Sequence, residues 1–157
     1  EFEGRAETIG RYIIRSEANQ VGHQSVMTPG FVRVCSDAWK RFGSGNLSWS
    51  ELLQPAIRLA LNGFDVYPYI AAFWRPGVAS DAHDSRPGYP PLMAKLNATP
   101  GARDIYLKPD GSPYGVGDRI VLADYAVTLQ QLALAGGDDF YSGEIARAAG
   151  EDFTNHN

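Results

Sequence analysis

The chain has 157 residues, a length that suits one domain or one piece of a larger domain. Hydrophobic residues make up 44% of it and charged residues 20%, which excludes a disordered polyelectrolyte, a collagen and a coiled coil. The net charge of −4 and the lack of any Lys- or Arg-rich run argue against nucleic acid as a partner. The single cysteine, Cys35, excludes an intramolecular disulfide and a cysteine-based metal site within the chain.

The 17 glycines and 10 prolines exceed the average combined share of roughly 12%, which predicts long stretches of loop. No apolar run approaches the roughly 18 residues that a membrane span needs. The sequence starts at Glu1, without a Met and without a signal-peptide pattern. We therefore expect an internal or processed segment, whose compartment the composition leaves open.

Three apolar residues at 12–14 predict a short helix or strand. The first strong helix signal comes after them, at 28–30. Thr28 can cap a helix that begins with Pro29 at its first position, and Gly43 is a natural left-handed terminator. Five residues of this helix are predicted to share one buried face: Phe31, Val34, Cys35, Ala38 and Phe42. Cys35 is accordingly expected to be a buried, inert thiol.

A second helix begins at a capping box formed by Ser48 and Glu51 and ends at Asn62-Gly63. Apolar residues surround most of its circumference, so we expect burial on more than one side. Pro55 removes one backbone hydrogen bond and is expected to kink or split this helix. A short third helix is predicted from Ile70 to Trp74.

Residues 78–102 contain many helix breakers and are predicted to form one long loop, a length that is uncommon unless the loop covers or contacts something. A strand is predicted at 104–107. The turn residues 109–111 would reverse it into a small hairpin near 119–121.

The last third is predicted to be helical again. Asp124 can cap a helix that ends at 136–137, and Ser142 can cap a final helix. One face of the first of these helices is predicted to carry Tyr125, Leu129, Leu132 and Ala133. The sequence as a whole predicts a mainly α fold with a minor β-hairpin.

Residue spacing alone yields no catalytic constellation. Asp81, His83 and Asp84 could offer metal ligands, but adjacent loop residues diverge in direction, so we expect no metal site. His23 and His156 are predicted to be surface residues. Residues 115–117 lack the third glycine and the strand-to-helix context of a phosphate-binding loop.

Trp39, Trp49 and Trp74 lie at helical positions among Leu and Ala. We expect them to belong to the core and not to a stacking platform.

Two stretches resemble the large subunit of gamma-glutamyltransferases, also called gamma-glutamyltranspeptidases. In the first, Pro29-Gly30 begins a helix that ends at Phe42-Gly43. The next helix then carries the family pattern Leu-x-Pro-Ala-x-x-Leu-Ala-x-x-Gly-Phe, here at Leu53, Pro55, Ala56, Leu59, Ala60, Gly63 and Phe64. In the second, Gly117-Asp118 precedes a helix, followed by Phe140-Tyr141, Gly143 and Ile145-Ala146. These stretches, 28–75 and 103–155, cover roughly two-thirds of the chain.

The resemblance implies the helical part of a four-layer αββα N-terminal-nucleophile (Ntn) hydrolase fold. It also implies a precursor (zymogen) that cleaves itself before a Thr beyond residue 157, giving a heterodimer with a small subunit. That Thr would be the nucleophile and its own amine the general base, acting on gamma-glutamyl substrates of the glutathione type. This chain is then a partial domain with no catalytic residue and no cofactor, and is inactive alone. Some apolar surface on the helices at 49–62 and 124–135 would belong against sheets that the chain lacks.

Arg5 is the nearest match to the family's arginine that pairs with the substrate alpha-carboxylate, because a guanidinium fits a carboxylate bidentately. The following Glu and Ala-Pro of the family context are missing, and alignment from Phe2 puts Glu3 at that position. If Glu3 is the equivalent, a related acylase with a different substrate is favoured.

Two further alternatives stay open at this point. The chain could be a helical binding or interaction module without catalytic function. The family favours a periplasmic or secreted location, although a cytoplasmic one is compatible with the sequence.

Overall fold

The computed structural model describes residues 20–74 and 92–155. Within these ranges the chain is mainly helical with one small two-stranded sheet, as predicted. The elements in chain order are a 3-10 turn His23–Ser25, α1 Phe31–Phe42, α2 Trp49–Asn62, β1 Phe64–Asp65, α3 Pro68–Trp74, α4 Leu92–Asn97, α5 Pro100–Tyr106, β2 Arg119–Ile120, α6 Ala123–Ala135, α7 Asp139–Ser142 and α8 Glu144–Asn155.

The chain divides into two compact units. The first comprises Glu1–Val26 and Asp65–Ile120, and the second comprises Met27–Phe64 and Val121–Asn157. Each unit is therefore built from two separate stretches of sequence. The predicted short element at 12–14 and residues 78–91 of the predicted loop lie outside the described residues.

The core of the second unit is the contact between α2 and α6. Ile57 and Ala60 from α2 pack with Ala126, Leu129 and Ala133 from α6, and all five are buried. The three alanines keep side-chain volume low, which lets the two helices approach closely. Burying the larger side chains, Ile57 and Leu129, contributes about 1.5–3 kcal/mol each.

The ends of α2 and α6 follow the sequence signals. Ser48 Oγ accepts from the backbone N–H of Glu51, while the Glu51 carboxylate accepts from the Ser48 N–H at 2.8 Å. The predicted capping box is thus confirmed. Gly63 and Gly136 end α2 and α6 with φ values of 75° and 88°, which L side chains rarely adopt.

Three details of α2 and α6 differ from the predictions. Pro55 does not split α2, which runs unbroken from Trp49 to Asn62. Asp124 lies in the first turn of α6 and is not its cap, because the N-cap position is Leu122. Tyr125 is 56% exposed, although the other three residues of its predicted face are buried.

Helix α1 begins at Phe31 instead of the predicted Pro29, ends at Phe42 as predicted, and buries a different side. Phe31, Val34 and Phe42 are 80%, 66% and 84% exposed, so their predicted burial is wrong, and the buried residue of this helix is Ser36. The N-cap is Gly30, and the Thr28 side chain makes no cap hydrogen bond. Gly43 ends the helix in an extended conformation instead of a left-handed one.

The final helix is also capped differently from the prediction. The carboxylate of Asp139 accepts from the backbone N–H groups of Glu144 and Ile145 at 3.1 and 3.4 Å. Ser142, the predicted cap, is instead the last residue of α7, and its hydroxyl donates to Asp138 O. The cap of α8 is therefore a carboxylate of the preceding helix α7 and not a hydroxyl.

The first unit differs from the prediction at the loop expected over 78–102 and at the strand expected over 104–107. Residues 92–97 and 100–106 form α4 and α5, and Thr99 caps α5 by accepting from the N–H of Ala102. The predicted strand at 104–107 is therefore wrong, because Pro100 at the first helical position continues into a helix through Tyr106.

The predicted chain reversal at 109–111 is present, and Leu107 bridges Pro113 across it. Residues 119–121, however, do not form the predicted hairpin with this turn. Strand β2 pairs with β1, and the Val66 N–H donates to Asp118 O at 2.7 Å while the Gly117 N–H donates to Val66 O. The short sheet is thus closed by residues about fifty positions apart in sequence.

One close approach fixes where α1 sits in the second unit. Gly137 is buried, and a Cβ placed on it would lie 2.6 Å from Ser36 Cβ and 2.7 Å from Ser36 Oγ. No side chain fits there without displacing α1. A Cβ placed on Gly150 of α8, in contrast, would have nothing within 4 Å.

We expect Gly137→Ala to lower the free energy of unfolding by about 1–3 kcal/mol, because the added methyl group overlaps Ser36. The matched control Gly150→Ala should raise it by about 0.5–1 kcal/mol, since alanine is the better helix former in open space. Thermal denaturation followed by circular dichroism measures both. Equal effects of the two substitutions would contradict the close contact.

Candidate functional site

An apolar groove of about 340 Å³ opens in the second unit, and we call it the aromatic groove. Helices α1, α2, α6 and α7 all contribute to it. Its lining residues are Phe31, Val32, Cys35, Trp39, Trp49, Leu52, Leu53, Ala56, Tyr125, Thr128, Leu129, Leu132 and Phe140. Leu129 and Leu132 are buried, whereas Phe31 is largely exposed, so the groove has a closed floor and an open edge.

Two tryptophans form one wall of the aromatic groove. The rings of Trp39 and Trp49 lie 5.8 Å apart between centroids, tilted at 50°. Trp49 Nε1–H donates to the carbonyl of Leu132 at 2.9 Å, and Trp39 Nε1–H donates to Leu47 O at 3.1 Å. Each indole thus has its polar atom satisfied and its ring free to line an apolar surface.

The outcomes for the predicted core tryptophans and for Cys35 are mixed. Trp74 is buried, as predicted, and its ring lies 6.2 Å from that of Tyr114. Trp39 and Trp49 are half-buried, because they face the groove. Cys35 is also half-buried, so it is more exposed than the predicted buried thiol.

A polar cluster holds α7 against the start of α1. The Tyr141 hydroxyl accepts from the Arg33 N–H at 2.9 Å and donates to Pro29 O at 2.7 Å, which supplies the cap that Gly30 cannot. Arg33 also binds Asp138 at 2.5 Å and lies over the Tyr141 ring. The hydrogen bond from Arg33 holds the pKa of Asp138 below its ordinary value, and the charge of Lys40 adds to this effect.

The glycine-containing loop of the first unit is occupied by its own side chains. Asp118 accepts from Lys108 Nζ at 2.5 Å and from the Gly115 N–H at 2.6 Å. The Lys108 hydrogen bond lowers the pKa of Asp118, and Asp118 in turn raises the pKa of Lys108. Because a carboxylate already takes the Gly115 N–H, this amide is not available to a phosphate.

Ser48 and Glu51 resemble a nucleophile with its base, since the Ser48 hydroxyl donates to Glu51 at 2.6 Å. Both groups are committed to capping α2, however. The Ser48 hydrogen bonds lower the pKa of Glu51, which weakens it as a base. The pair is therefore structural.

The predicted site residues at the start of the chain, Arg5 and Glu3, lie outside the described residues, as do Asp81, His83, Asp84 and His156. His23 lies in the 3-10 turn and is half-buried, so it is less exposed than predicted. Across 20–74 and 92–155, no three His, Cys, Asp or Glu side chains gather as a metal site would require. The helices in these same ranges also lack the length and apolar character of a membrane span.

The aromatic groove itself is not predicted by the sequence pattern. A signal is present in the shared helical face of Phe31 and Cys35 and in the nearby Trp39 and Trp49. That pattern favours a core, because periodicity marks an apolar face without telling what covers it.

Comparison with known proteins gives, over nearly the whole chain, the family that the sequence motifs resemble. The family model for gamma-glutamyltranspeptidase matches residues 6–157. The chain is 35% identical over 148 residues to the acylase ACY 1 proenzyme of Pseudomonas sp. (strain SE83), covering 94% of this chain and 23% of that protein. It is 33% identical over 129 residues to glutathione hydrolase proenzyme 2 of Schizosaccharomyces pombe, covering 82% of this chain and 18% of that protein.

The fold agrees with these relatives. The crystal structure of Helicobacter pylori gamma-glutamyltranspeptidase superposes with a TM-score of 0.73 at 22% identity, over 91% of this chain and 36% of that one. The chain spans less than a quarter of the length of the acylase and of the glutathione hydrolase. It belongs to the gamma-glutamyltranspeptidase family.

Proposed function

We propose that this chain is part of the large subunit of an enzyme that transfers or hydrolyses gamma-glutamyl groups. The observation that carries the proposal is the family match over residues 6–157, together with relatives named as glutathione hydrolases. Several relatives, the acylase and two glutathione hydrolases among them, are named as proenzymes, which supports a precursor that matures by cleavage. A periplasmic or secreted location belongs to the same proposal.

In this proposal the nucleophile lies outside this chain. In the proposed reaction, the hydroxyl of an N-terminal Thr on a small subunit attacks the gamma-glutamyl carbonyl, and the Thr amine takes the hydroxyl proton. The amide C–N bond then breaks, the amine product leaves with a proton, and an ester-linked acyl-enzyme remains. Water or an amino acid attacks that ester and regenerates the Thr hydroxyl.

Arg5 is the residue of this chain that we propose to contact substrate. Its guanidinium would pair with the alpha-carboxylate of the gamma-glutamyl group through two parallel hydrogen bonds. The other residues of the chain would pack and support the enzyme, consistent with the structural commitment of Ser48 and Glu51 to a helix cap.

A second candidate is a related acylase with a different acyl group. The support is that the two Pseudomonas acylase ACY 1 relatives, at 35% and 34% identity, are more similar to this chain than the glutathione hydrolases, at 28–33%. The incomplete sequence context of Arg5 agrees with this candidate.

The parent protein, expressed from its complete reading frame, should release 4-nitroaniline from a gamma-glutamyl anilide. A glutaryl anilide differs from it by the missing alpha-amino group, and we expect slower release from that compound. Absorbance of the freed 4-nitroaniline measures both rates. Release from the glutaryl compound alone would favour the acylase, and release from neither, or a parent that ends at Asn157, would contradict catalysis.

Within the complete enzyme, Arg5→Ala should raise KM for the gamma-glutamyl anilide by about 30- to 100-fold, because it removes one partner of a charged pair. A 4-aminobutanoyl anilide lacks the alpha-carboxylate, so its kinetics should not respond to this substitution. Glu3→Ala is the matched control and should leave KM unchanged. If Glu3→Ala impairs turnover and Arg5→Ala does not, the carboxylate-binding role does not belong to Arg5.

A further inference from the structure

The chain contains a single Asn-Gly pair, Asn62-Gly63, where α2 ends. Asparagine is thermolabile in proteins, because the backbone nitrogen of the following residue can attack its side-chain amide. A glycine in the following position has no side chain to obstruct that attack. The sequence therefore marks this pair as reactive, and the fold decides whether it is protected.

The fold leaves both reacting groups of this pair unrestrained. The glycine that ends α6, Gly136, donates its N–H to Leu132 O at 3.0 Å. Gly63 ends α2 in the same position, yet its N–H makes no hydrogen bond of normal geometry with any described residue. The Asn62 side chain is exposed, and it also lacks a hydrogen bond within 20–74 and 92–155. Neither the attacking nitrogen nor the amide under attack is therefore held in place.

A related pair, Asp110-Gly111, shows the protected arrangement. The Gly111 N–H donates to Lys108 O at 2.8 Å. The Asp110 carboxylate accepts from the N–H and the hydroxyl of Ser112 at 2.9 and 2.6 Å. Gly63 and Gly111 have similar φ values, 75° and 80°, so this angle does not distinguish the two pairs. Hydrogen bonding does.

We propose that Asn62 is a site of spontaneous deamidation in the folded protein. Fraying of the last helical turn lets the Gly63 nitrogen reach Asn62 Cγ. The nitrogen bonds to Cγ and loses its proton, the bond from Cγ to the amide nitrogen breaks, and ammonia leaves with that proton. Water then opens one carbonyl of the cyclic imide that remains, giving aspartate or isoaspartate. This modification goes beyond the proposed function and does not depend on it.

Both products disturb the connection between α2 and β1. Either one places a negative charge at the C-terminal end of α2, where the helix dipole disfavours it. Isoaspartate also lengthens the backbone by one carbon. That backbone is anchored on each side, because Leu122 N–H donates to Ala60 O at 3.0 Å and Val66 N–H donates to Asp118 O at 2.7 Å. The added carbon lies between these two anchors, so we expect isoaspartate to weaken them.

The full-length parent is incubated in mildly alkaline buffer, and peptide mapping by mass spectrometry follows conversion of each asparagine to acid. Asn46 and Asn97, which precede Leu and Ala, are the internal controls. We expect Asn62 to convert at least about tenfold faster than either control, a difference that the open glycine nitrogen supplies. Its rate in the folded parent should lie within about tenfold of its rate in urea, and a slower folded rate would overturn the proposal.

Asp110→Asn is a matched variant, because it places a second Asn-Gly pair where the glycine N–H is hydrogen-bonded. In the folded parent, Asn62 should deamidate about tenfold or more faster than the introduced asparagine, whereas in urea the two rates should be similar. Equal rates in the folded parent would contradict the argument from hydrogen bonding. The comparison of wild type with urea stands even if this variant does not fold.

Hydrogen–deuterium exchange tests the structural consequence. After incubation, the wild-type parent should exchange the amide hydrogens of 117–122 at least about threefold faster than fresh protein, because the anchors of that segment are weakened. Asn62→Gln, which closes a less favourable ring, should show no such increase. Unchanged exchange in a parent that carries isoaspartate at position 62 would contradict the anchoring argument.

Discussion

The close contact between α2 and α6 is the constraint on which the second unit depends. Ala60, Ala126 and Ala133 allow the two helices to approach closely, and Ile57 and Leu129 fill the seam between them. The Trp49 indole adds a hydrogen bond to the Leu132 carbonyl across the same contact. Since these residues come from two stretches of sequence about seventy positions apart, the core forms only when both stretches meet.

The other helices of this unit follow from that contact. Gly136 ends α6 with a positive φ, and the next residue, Gly137, lets α1 approach through Ser36. Tyr141 and Asp138 then hold the start of α1 by a cap and an ion pair. Because α1 is anchored through its small and polar side, its large apolar residues remain outward, and the aromatic groove opens between α1 and the core pair.

The local features of this fold could be predicted from the sequence, and the long-range ones could not. The end of α1, the bounds of α2 and the Ser48 capping box depend on neighbouring residues, so the sequence indicates them. The burial of Ser36 in place of Phe31 depends on a glycine about a hundred positions away. The role proposed for Arg5 rests on family resemblance alone, since a guanidinium near a chain end carries no spacing signal of its own.

We propose that these helices are part of a large subunit that matures with a Thr-initiated partner. The most direct test is to purify the parent protein and determine the mass and N-terminal sequence of every polypeptide in it. We expect two polypeptides, the larger containing residues 1–157 and the smaller beginning with Thr. A parent that stays a single uncleaved polypeptide would contradict it.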